Sequence, residues 1–535
     1  MRALARRCRP QVTTSSIKNG ADTAMTGMAA IRQPEIFLKR ADRAIHMGSY
    51  LGIDIGTSSV KAVLIDERQF ALASASSPLE LLRPKEGWSE QNPQDWWRAT
   101  QSAVAAIGKR ARKAFRAVEA VGLSGQMHGA TLLDSSDRVI RPAILWNDGR
   151  ADNECRELEA AEPRLREIAG NIAMPGFTAP KLLWVKKHEP MKFRRVAKVL
   201  LPKDYIRLRL SGDYASDMSD SSGTLWMDVG RRAWSSELLA ATSLGEEHMP
   251  KLFEGTEATG QLSGELQREW GLLRRPIISG GAGDNAAAAC GIGAVEAQES
   301  FISLGTSGVL FVATKQFLPN TANAVHAFCH AIPDKWHQMG VILSATASLE
   351  WLAGIFGMPA PRLIKTLGSR VSGPSPVLFL PYLSGERTPV NDAHIRAVFC
   401  GLGHESDRKA LIQAVIEGVA FAFRDCLESL RAAGTDVQRA TAVGGGSNSR
   451  LWLKIIATVL SIPIDVPAAG DFGAAFGAAR LALVTASGAN YRTILSRPKM
   501  SLHVDPDAAS REAYEAAYAS YKQIYPAVRG IGLHE

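Results

Sequence analysis

The fold is decided by the stretch Tyr50-Leu51-Gly52-Ile53-Asp54-Ile55-Gly56-Thr57-Ser58-Ser59-Val60-Lys61. Apolar residues alternate along its first half, which predicts a strand. Gly56-Thr57-Ser58-Ser59 is a polar turn that leads into a second apolar strand over residues 60–65, because glycine accepts the backbone angles of a hairpin. Such a turn points N–H groups and hydroxyls at one spot, which suits a phosphate. Asp54, at the mouth of the turn, is placed to hold a hydrated Mg²⁺ on that phosphate.

The hairpin has a second copy. Residues 53–60 have the sequence Ile-Asp-Ile-Gly-Thr-Ser-Ser-Val, and residues 302–309 have Ile-Ser-Leu-Gly-Thr-Ser-Gly-Val. Only the first copy carries a carboxylate, because Ser303 takes the place of Asp54 in the second. One such turn alone is most often an ordinary hairpin. Two copies far apart in the chain suggest two similar domains that face each other across a cleft.

Strands alternate with helices after each hairpin, which predicts one α/β sheet per domain. Asn92-Pro93 is a good helix start, and apolar segments predict strands over residues 277–281 and 440–443. Helices are predicted over residues 286–290 and 409–432.

Composition is that of a globular protein. The chain has 535 residues, enough for two large domains, with 46% hydrophobic and 21% charged residues. No run of about 18 apolar residues occurs, so no membrane span is predicted. The six cysteines form no Cys-x-x-Cys pair, which favours free thiols in a reducing compartment, the cytoplasm, and no zinc site.

The net charge of +9 is concentrated at the N-terminus. Residues 1–48 hold nine Lys and Arg against three acidic residues, which accounts for six of the nine charges. The near-neutral remainder gives no strong electrostatic case for a nucleic-acid partner. The extension is Arg-rich, as in a targeting peptide or a disordered tail, and lacks the apolar core of a secretory signal. We expect it to be disordered and upstream of a core that begins near Met47.

Two interpretations of Asp284 follow from the local sequence. The residue comes directly before Asn-Ala-Ala-Ala-Ala, where an aspartate is a good N-cap for a helix. It is also a candidate general base for a substrate hydroxyl. The local sequence alone favours the cap, although the two roles are compatible.

Two further segments are open to more than one interpretation. Gly444-Gly445-Gly446, between a predicted strand and a helix, lets a flat ligand approach the backbone, but a tight turn also uses such glycines. His128, in the loop Ser124-Gly125-Gln126-Met127-His128-Gly129, either binds a sugar hydroxyl or is a loop histidine with partners inside the protein.

Together these residues resemble the FGGY carbohydrate kinases of the actin-like ATPase superfamily, from about Tyr50 to beyond Arg480. Two segments resemble family signatures, Gly176-Phe177-Thr178-Ala179-Pro180-Lys181-Leu182-Leu183-Trp184 and Phe379-Leu380-Pro381-Tyr382-Leu383-Ser384-Gly385-Glu386-Arg387-Thr388-Pro389. Four loops are similar to the sugar-pocket loops of the bacterial members that phosphorylate D-xylulose, namely residues 88–91, 125–133, 145–150 and 174–181.

The resemblance implies a fold and a set of roles. The fold is α/β, with two actin-like (ribonuclease H-like) ATPase domains, residues 49–297 for sugar binding and 298–535 for nucleotide binding. Asp284 is implied as the catalytic base, and Asp54 as a second catalytic carboxylate that holds Mg²⁺ through water. The implied sugar-binding residues are Met127, His128 and, more weakly, Asn285. The implied nucleotide-binding residues are Thr57, Gly305, Thr306, Gly445, Gly446 and Asn448.

The expected activity is the phosphorylation of D-xylulose to D-xylulose 5-phosphate by Mg²⁺–ATP in pentose catabolism. A homodimer is compatible with the sequence. Neither nucleic acid nor a membrane is an expected partner. The first alternative is another kinase of the family, for ribulose, rhamnulose or glycerol, against which the Gln126-Met127-His128 loop argues. A non-catalytic nucleotide-binding regulator is disfavoured by Asp54 and Asp284 and by the lack of a helix-turn-helix pattern. An actin-like chaperone ATPase would not need the sugar loops.

Overall fold

The computed structural model describes residues 48–370, 373–468 and 473–531. The basic extension predicted over residues 1–48 therefore lies outside the described residues, apart from Gly48. The predicted opening hairpin is confirmed. Strand β1 (Ser49–Ile55) pairs antiparallel with β2 (Ser59–Asp66), and most residues of the two strands are buried.

The first sheet is built around that hairpin. Its other strands are β3 (Ala71–Pro78), β4 (Val118–Gly125), β5 (Ala258–Gln261), β6 (Ile277–Ser279) and β7 (Ala282–Gly283). The order is β5-β6-β4-β1-β2-β3, and β7 also pairs with β4. Strands β1, β6 and β7 run parallel to β4, whereas β2, β3 and the edge strand β5 are antiparallel to their neighbours.

The second sheet repeats this arrangement. It contains β8 (Ser300–Leu304), β9 (Gly308–Thr314), β10 (His326–Cys329), β11 (Trp336–Ile342), β12 (Ala440–Val443), β13 (Ile464–Pro467) and β14 (Met500–Val504) in the order β10-β11-β9-β8-β12-β13-β14. The hairpin β8–β9 is again followed by parallel partners, β12 and β13, and by an antiparallel edge strand, β14. The duplication inferred from the two hairpin sequences is therefore confirmed at the level of topology.

The two hairpins differ in register despite their similar sequences. In the first, Ile55 faces Val60, so residues 56–59 form the loop. In the second, Leu304 faces Gly308, and only residues 305–307 lie between.

The longer helices fill the connections between strands. They are α1 (Pro93–Arg110), α2 (Asp152–Ala161), α3 (Thr178–His188), α4 (Pro202–Ser211), α5 (Asp284–Ile292), α6 (Thr346–Phe356), α7 (Arg408–Ala432), α8 (Arg450–Leu460), α9 (Ala474–Ser487) and α10 (Arg511–Tyr521). Asn92 caps α1 by accepting from the Gln94 N–H, with Pro93 in the first turn, as predicted. The helices predicted over 286–290 and 409–432 are confirmed as α5 and α7.

Short elements complete the fold. Two-stranded pairs join Glu90–Gln91 to Ala143–Ile144, Thr131–Leu133 to Lys198–Leu200, Ala215–Asp217 to Lys251–Phe253, Met227–Asp228 to Ala233–Trp234, and Leu378–Leu380 to Val398–Cys400. The short α-helices are Arg112–Arg116, Leu165–Ala169, Pro190–Phe193, Met218–Ser221, Ser236–Ala241, Gly264–Glu269, Ala360–Thr366, Tyr491–Ile494 and Ile524–Val528. Among the described helices, none combines the length and apolar content needed to cross a membrane.

Helix α9 packs onto the first sheet although in sequence it lies between β13 and β14 of the second sheet. It contacts β1 and β4 and crosses α5 at very short range. A Cβ added to Gly477 would lie 1.8 Å from the Ala287 carbonyl oxygen, and one added to Gly52 would lie 1.9 Å from that of Ala475. Glycine is therefore required at both positions. Arg480 then donates to the carbonyls of Cys290 and Gly291 at the end of α5.

Candidate active site

The predicted catalytic and sugar-binding residues meet at the carboxyl end of the first sheet. Ser124 of β4 is the register partner both of Asp54 in β1 and of Ala282 in β7. Neighbouring strands lie about 4.8 Å apart, so the backbones of Asp54 and Ala282 are separated by two spacings, about 10 Å. Strand β4 leads directly into the loop with Met127 and His128, and β7 leads into Asp284. Three separate parts of the chain are thus brought to one edge by sheet pairing.

Asp284 is the first residue of α5, not its cap. The N-cap is Gly283, and no side chain caps the helix, so the interpretation of Asp284 as an N-cap is wrong. Gly283, the last residue of β7, takes the cap position with φ −59° and ψ 154°, so Asp284 is already helical. Its Oδ1 instead accepts from the backbone N–H of Asn285 at 2.7 Å and from the Asn285 side-chain amide at 3.0 Å. Those two bonds orient the carboxylate.

The environment of Asp284 suits a general base. Desolvation by burial raises the pKa of this carboxyl from 3.8 to about 6, while the two hydrogen bonds from Asn285 oppose part of the rise. A base is most effective when its pKa lies near the working pH. The carboxylate is therefore ionised at neutral pH and is a much stronger base than an exposed aspartate.

His128 is held in one tautomer. Its backbone has a φ of 71°, and its Nδ1 lies 2.6 Å from the Gly223 carbonyl oxygen. A carbonyl only accepts, so Nδ1 carries the proton. Desolvation lowers the pKa of His128 to about 3, so the ring is neutral and Nε2 is a hydrogen-bond acceptor. The ring therefore has a partner inside the protein, the Gly223 carbonyl, and also an acceptor, Nε2, that suits a sugar hydroxyl. Both interpretations of His128 from the sequence are compatible with this geometry.

The backbone around His128 is fixed by a buried lysine. Lys181 Nζ donates to the carbonyls of His128, at 2.9 Å, and Gly176, at 2.6 Å, and the Thr178 hydroxyl also donates to the His128 carbonyl. Burial lowers the pKa of Lys181 well below its usual value. Met127 lies against β7, since a Cβ added to Gly283 would be 3.2 Å from its sulfur. Met127 thus packs beside the residue that precedes Asp284.

The predicted nucleotide-binding segments of the second sheet also come together. Gly305 and Thr306 follow β8, and the glycines Gly444 to Gly446 follow its parallel neighbour β12. Gly444 has a φ of 89°, and a Cβ there would lie 2.7 Å from the Leu304 carbonyl oxygen. Residues Gly445–Asn448 form a short 3₁₀ helix. Thr306, Gly445 and Asn448 are exposed, so their polar groups are accessible to a ligand.

Thr57, predicted to bind nucleotide, is tied to the sugar loops. Its hydroxyl donates to Gln126 Oε1 at 2.8 Å and accepts from Trp146 Nε1 at 3.0 Å. Its carbonyl accepts from the side chain of Gln91 at 2.7 Å. The hydroxyl proton is thus already used within the protein.

The structure also brings to this region residues to which the sequence analysis gave no role. Phe177 and Phe328 lie 4.6 and 6.4 Å from the His128 ring between centroids, and Phe328 belongs to β10 of the second sheet. Arg387 lies close enough to His128 to help lower the pKa of the histidine, and it contacts His326 Nε2 at 3.3 Å. Arg387 falls in a segment that resembles a family signature, which was the available signal. No pattern in the sequence paired Phe328 with His128.

The donor set fits Mg²⁺ held together with phosphates. Among the described residues, no group of three or more His, Cys, Asp or Glu side chains is arranged to hold a metal ion. Mg²⁺ in phosphoryl-transfer sites usually takes one or two carboxylates and completes its shell with water and substrate phosphates. A single carboxylate, Asp54, beside the Gly56-Thr57 turn matches that pattern.

Comparison with known families identifies the family of the chain. Residues 49–291 match the N-terminal domain model of the FGGY family of carbohydrate kinases, and residues 300–486 match its C-terminal domain model. The chain belongs to the FGGY family of carbohydrate kinases. Its two sheets are the two domains of that kinase fold, which is of the actin-like ATPase type, as the sequence predicted.

Within the family, the chain is similar to proteins described as xylulose kinases. It is 47% identical to the xylulose kinase of Escherichia coli K12 over 479 residues, which cover 89% of this chain and 98% of the relative. A crystal structure described as a "xyloylose kinase" from Brucella ovis has 56% identity and a TM-score of 0.89, with 90% of this chain and all of that chain covered. The xylulose kinase structure from Rhodospirillum rubrum has 26% identity and a TM-score of 0.84, with coverages of 91% and 100%.

Proposed function

We propose that this enzyme phosphorylates D-xylulose with ATP to give D-xylulose 5-phosphate and ADP. The observation that carries the proposal is the placement of Asp284, whose pKa is raised to about 6, at the sheet edge where the Met127-His128 loop begins. The similarity to xylulose kinases across about nine tenths of the chain supports the choice of sugar. A role in pentose catabolism follows from that substrate.

In the proposed reaction, the C5 oxygen of the sugar attacks the γ-phosphorus, and Asp284 accepts the proton of that hydroxyl. The bond from that phosphorus to the bridging oxygen of ADP breaks, and ADP leaves with the electron pair. Phosphoryl transfer needs little covalent chemistry from the protein, so positioning and charge neutralisation carry most of the catalysis. His128 Nε2 accepts from a sugar hydroxyl, Met127 forms the apolar wall, and the side chain of Asn285 lies beside the reacting group.

The phosphates of ATP would be bound by the two hairpins. We assign Gly305, Thr306, Gly445, Gly446 and Asn448 to the nucleotide, and Thr57 to the phosphates through the backbone of its turn. Asp54 would hold Mg²⁺ through water, and the ion would supply positive charge to the phosphate oxygens during transfer. The corresponding domains are residues 49–297 for the sugar and 298–535 for the nucleotide, preceded by the extension 1–48.

An ADP-release assay with D-xylulose, D-ribulose, L-rhamnulose and glycerol, run with and without Mg²⁺, tests the proposal. We expect D-xylulose to have the highest kcat/KM and the reaction to require the ion. A tenfold higher kcat/KM for any other acceptor would contradict the assignment of the sugar. The cytoplasmic location, a homodimer, and the lack of nucleic-acid and membrane partners stay predictions from the sequence.

A further inference from the structure

A buried chain of hydrogen bonds connects the sugar loops with the phosphate turn. Gln91 Nε2 donates to the carbonyls of Thr57 and Glu80, and Gln91 Oε1 accepts from Trp96 Nε1 at 2.9 Å. Carbonyls only accept and an indole N–H only donates, so the orientation of the Gln91 amide is fixed. Gln91 and Trp96 are almost completely buried.

The fixed amide of Gln91 determines the next links. Gln126 Nε2 must be the atom that faces Gln91 Oε1, at 3.0 Å, which turns Gln126 Oε1 toward Thr57. Gln126 Oε1 can only accept, so the Thr57 hydroxyl is the donor in the 2.8 Å bond between them, while its oxygen accepts from Trp146 Nε1. The donor and the acceptor of each hydrogen bond from Trp96 to Thr57 are therefore fixed. The Thr57 hydroxyl proton is thus used in the bond to Gln126.

The two residues that meet at Thr57 belong to different sugar loops. Gln126 directly precedes Met127 and His128, and its backbone N–H donates to the Ile55 carbonyl at 2.8 Å. Trp146 lies in the segment 145–150, directly before Asn147 and Asp148. Both loops bond to the same atom, the hydroxyl oxygen of Thr57 in the Gly56-Thr57 turn, so a displacement of either loop changes a hydrogen bond to that atom. Hydrogen bonds in a buried chain polarise one another, so a change at one bond alters the strength of the next.

We propose that Thr57, Gln126 and Trp146 form a positioning link that couples sugar binding to nucleotide binding. With sugar on the His128 loop, the link holds the Gly56-Thr57 turn in the geometry that binds the phosphates, so each substrate strengthens the binding of the other. Thr57 acts through Gln126 and Trp146, and its hydroxyl is not a phosphate ligand. This inference rests on the proposed sugar and nucleotide sites, but it does not depend on which sugar is the substrate.

The coupling is measured with the full chain by titration calorimetry. Dissociation constants for Mg²⁺–ADP are determined with and without saturating D-xylulose, and those for D-xylulose with and without Mg²⁺–ADP. The two ratios must be equal by linkage, and couplings in proteins are typically about 5- to 150-fold. We expect a ratio of at least about fivefold in the wild type, below about twofold in Thr57→Val, and near the wild-type value in Thr57→Ser, which retains the hydroxyl.

Two variants control for damage to the fold. Trp146→Phe removes the indole N–H that bonds to Thr57 and keeps an aromatic ring, so it should also lose the coupling. If Thr57→Val fails to fold, Trp146→Phe provides the test. Thr131→Val makes the same exchange at a buried hydroxyl for which the described residues provide no hydrogen-bond partner, and it should retain coupling. A wild-type ratio near one, or an unchanged ratio in Thr57→Val or Trp146→Phe, would overturn the proposal. If the substrate panel selects another sugar, the proposed function fails, and the same titrations with that sugar still decide the coupling.

Discussion

Replacing Asp284 by asparagine should make the enzyme more stable and nearly inactive. Burial raises the pKa of this carboxyl from 3.8 to about 6, so ionisation costs the folded protein free energy. One pKa unit corresponds to about 1.4 kcal/mol, which gives roughly 3 kcal/mol as the upper value of that cost. Asparagine keeps the size and an oxygen that accepts from the Asn285 N–H, but it carries no charge.

The stabilisation should depend on pH in a defined direction. An acid whose pKa is higher in the folded than in the unfolded protein destabilises the folded state when it is ionised. For Asp284 this destabilisation is fully present above pH 6 and absent below pH 3.8. Asp284→Asn should therefore melt several degrees above the wild type at pH 8. The difference should shrink as the pH falls below 6.

Turnover should show the opposite effect. Asparagine cannot accept a proton, so kcat should fall by at least about 10²-fold, the usual contribution of a positioned base. Binding of the sugar, measured by calorimetry, should persist because the amide still forms hydrogen bonds.

The assay combines thermal melts at pH 5, 6, 7 and 8 with the ADP-release assay. Asp152→Asn is a matched control, because Asp152 is also the first residue of its helix but is exposed and paired with the exposed Arg156. We expect that control to change stability by less than about 0.5 kcal/mol at every pH. Lower stability of Asp284→Asn at pH 8, a pH-independent difference, or activity within a few-fold of the wild type would refute the reasoning.

Three further results are expected. The logarithm of kcat/KM for D-xylulose should rise with slope one below pH 6 and level off above it, since the ionised Asp284 is the active form; a profile flat from pH 5 to 8 would argue against this base. His128→Ala should raise the KM for D-xylulose at least tenfold and leave the KM for ATP within about twofold, because a buried polar contact to a hydroxyl is lost; an equal change in both constants would indicate a structural role. Gly444→Ala should weaken Mg²⁺–ADP binding in calorimetry, because a Cβ there would lie 2.7 Å from the Leu304 carbonyl oxygen at a φ of 89°, and unchanged affinity would remove this turn from the nucleotide site.

The sequence was sufficient for those parts of the fold that local patterns determine. Alternating apolar residues and a Gly-Thr-Ser turn identified both hairpins, and the similarity of their sequences identified the two domains. The one-residue difference in register between the hairpins was not accessible, because both loops begin with the same Gly-Thr-Ser residues.

The structure brings the predicted candidate-site residues together, and their roles stay predictions; their contacts could not be predicted from the sequence. The local sequence favoured Asp284 as the N-cap of α5, but it is the first residue of that helix. The cap is Gly283, which ends the short strand β7, and no pattern in the sequence indicated that strand end. The link of Thr57, Gln126 and Trp146 joins residues up to 89 positions apart, and no local pattern reports such long-range pairs. The same holds for helix α9, which crosses to the first sheet because glycines at positions 52 and 477 allow close approach.

The most direct test of the central claim is the position of the phosphate on the product. D-xylulose has primary hydroxyls at C1 and C5, and the proposed reaction places the C5 hydroxyl between Asp284 and the γ-phosphorus. The wild type should convert ¹³C-labelled D-xylulose and Mg²⁺–ATP to a product whose NMR spectrum shows coupling of phosphorus to C5. Phosphorus coupled to C1, or ATP hydrolysed with the sugar unchanged, would contradict the account.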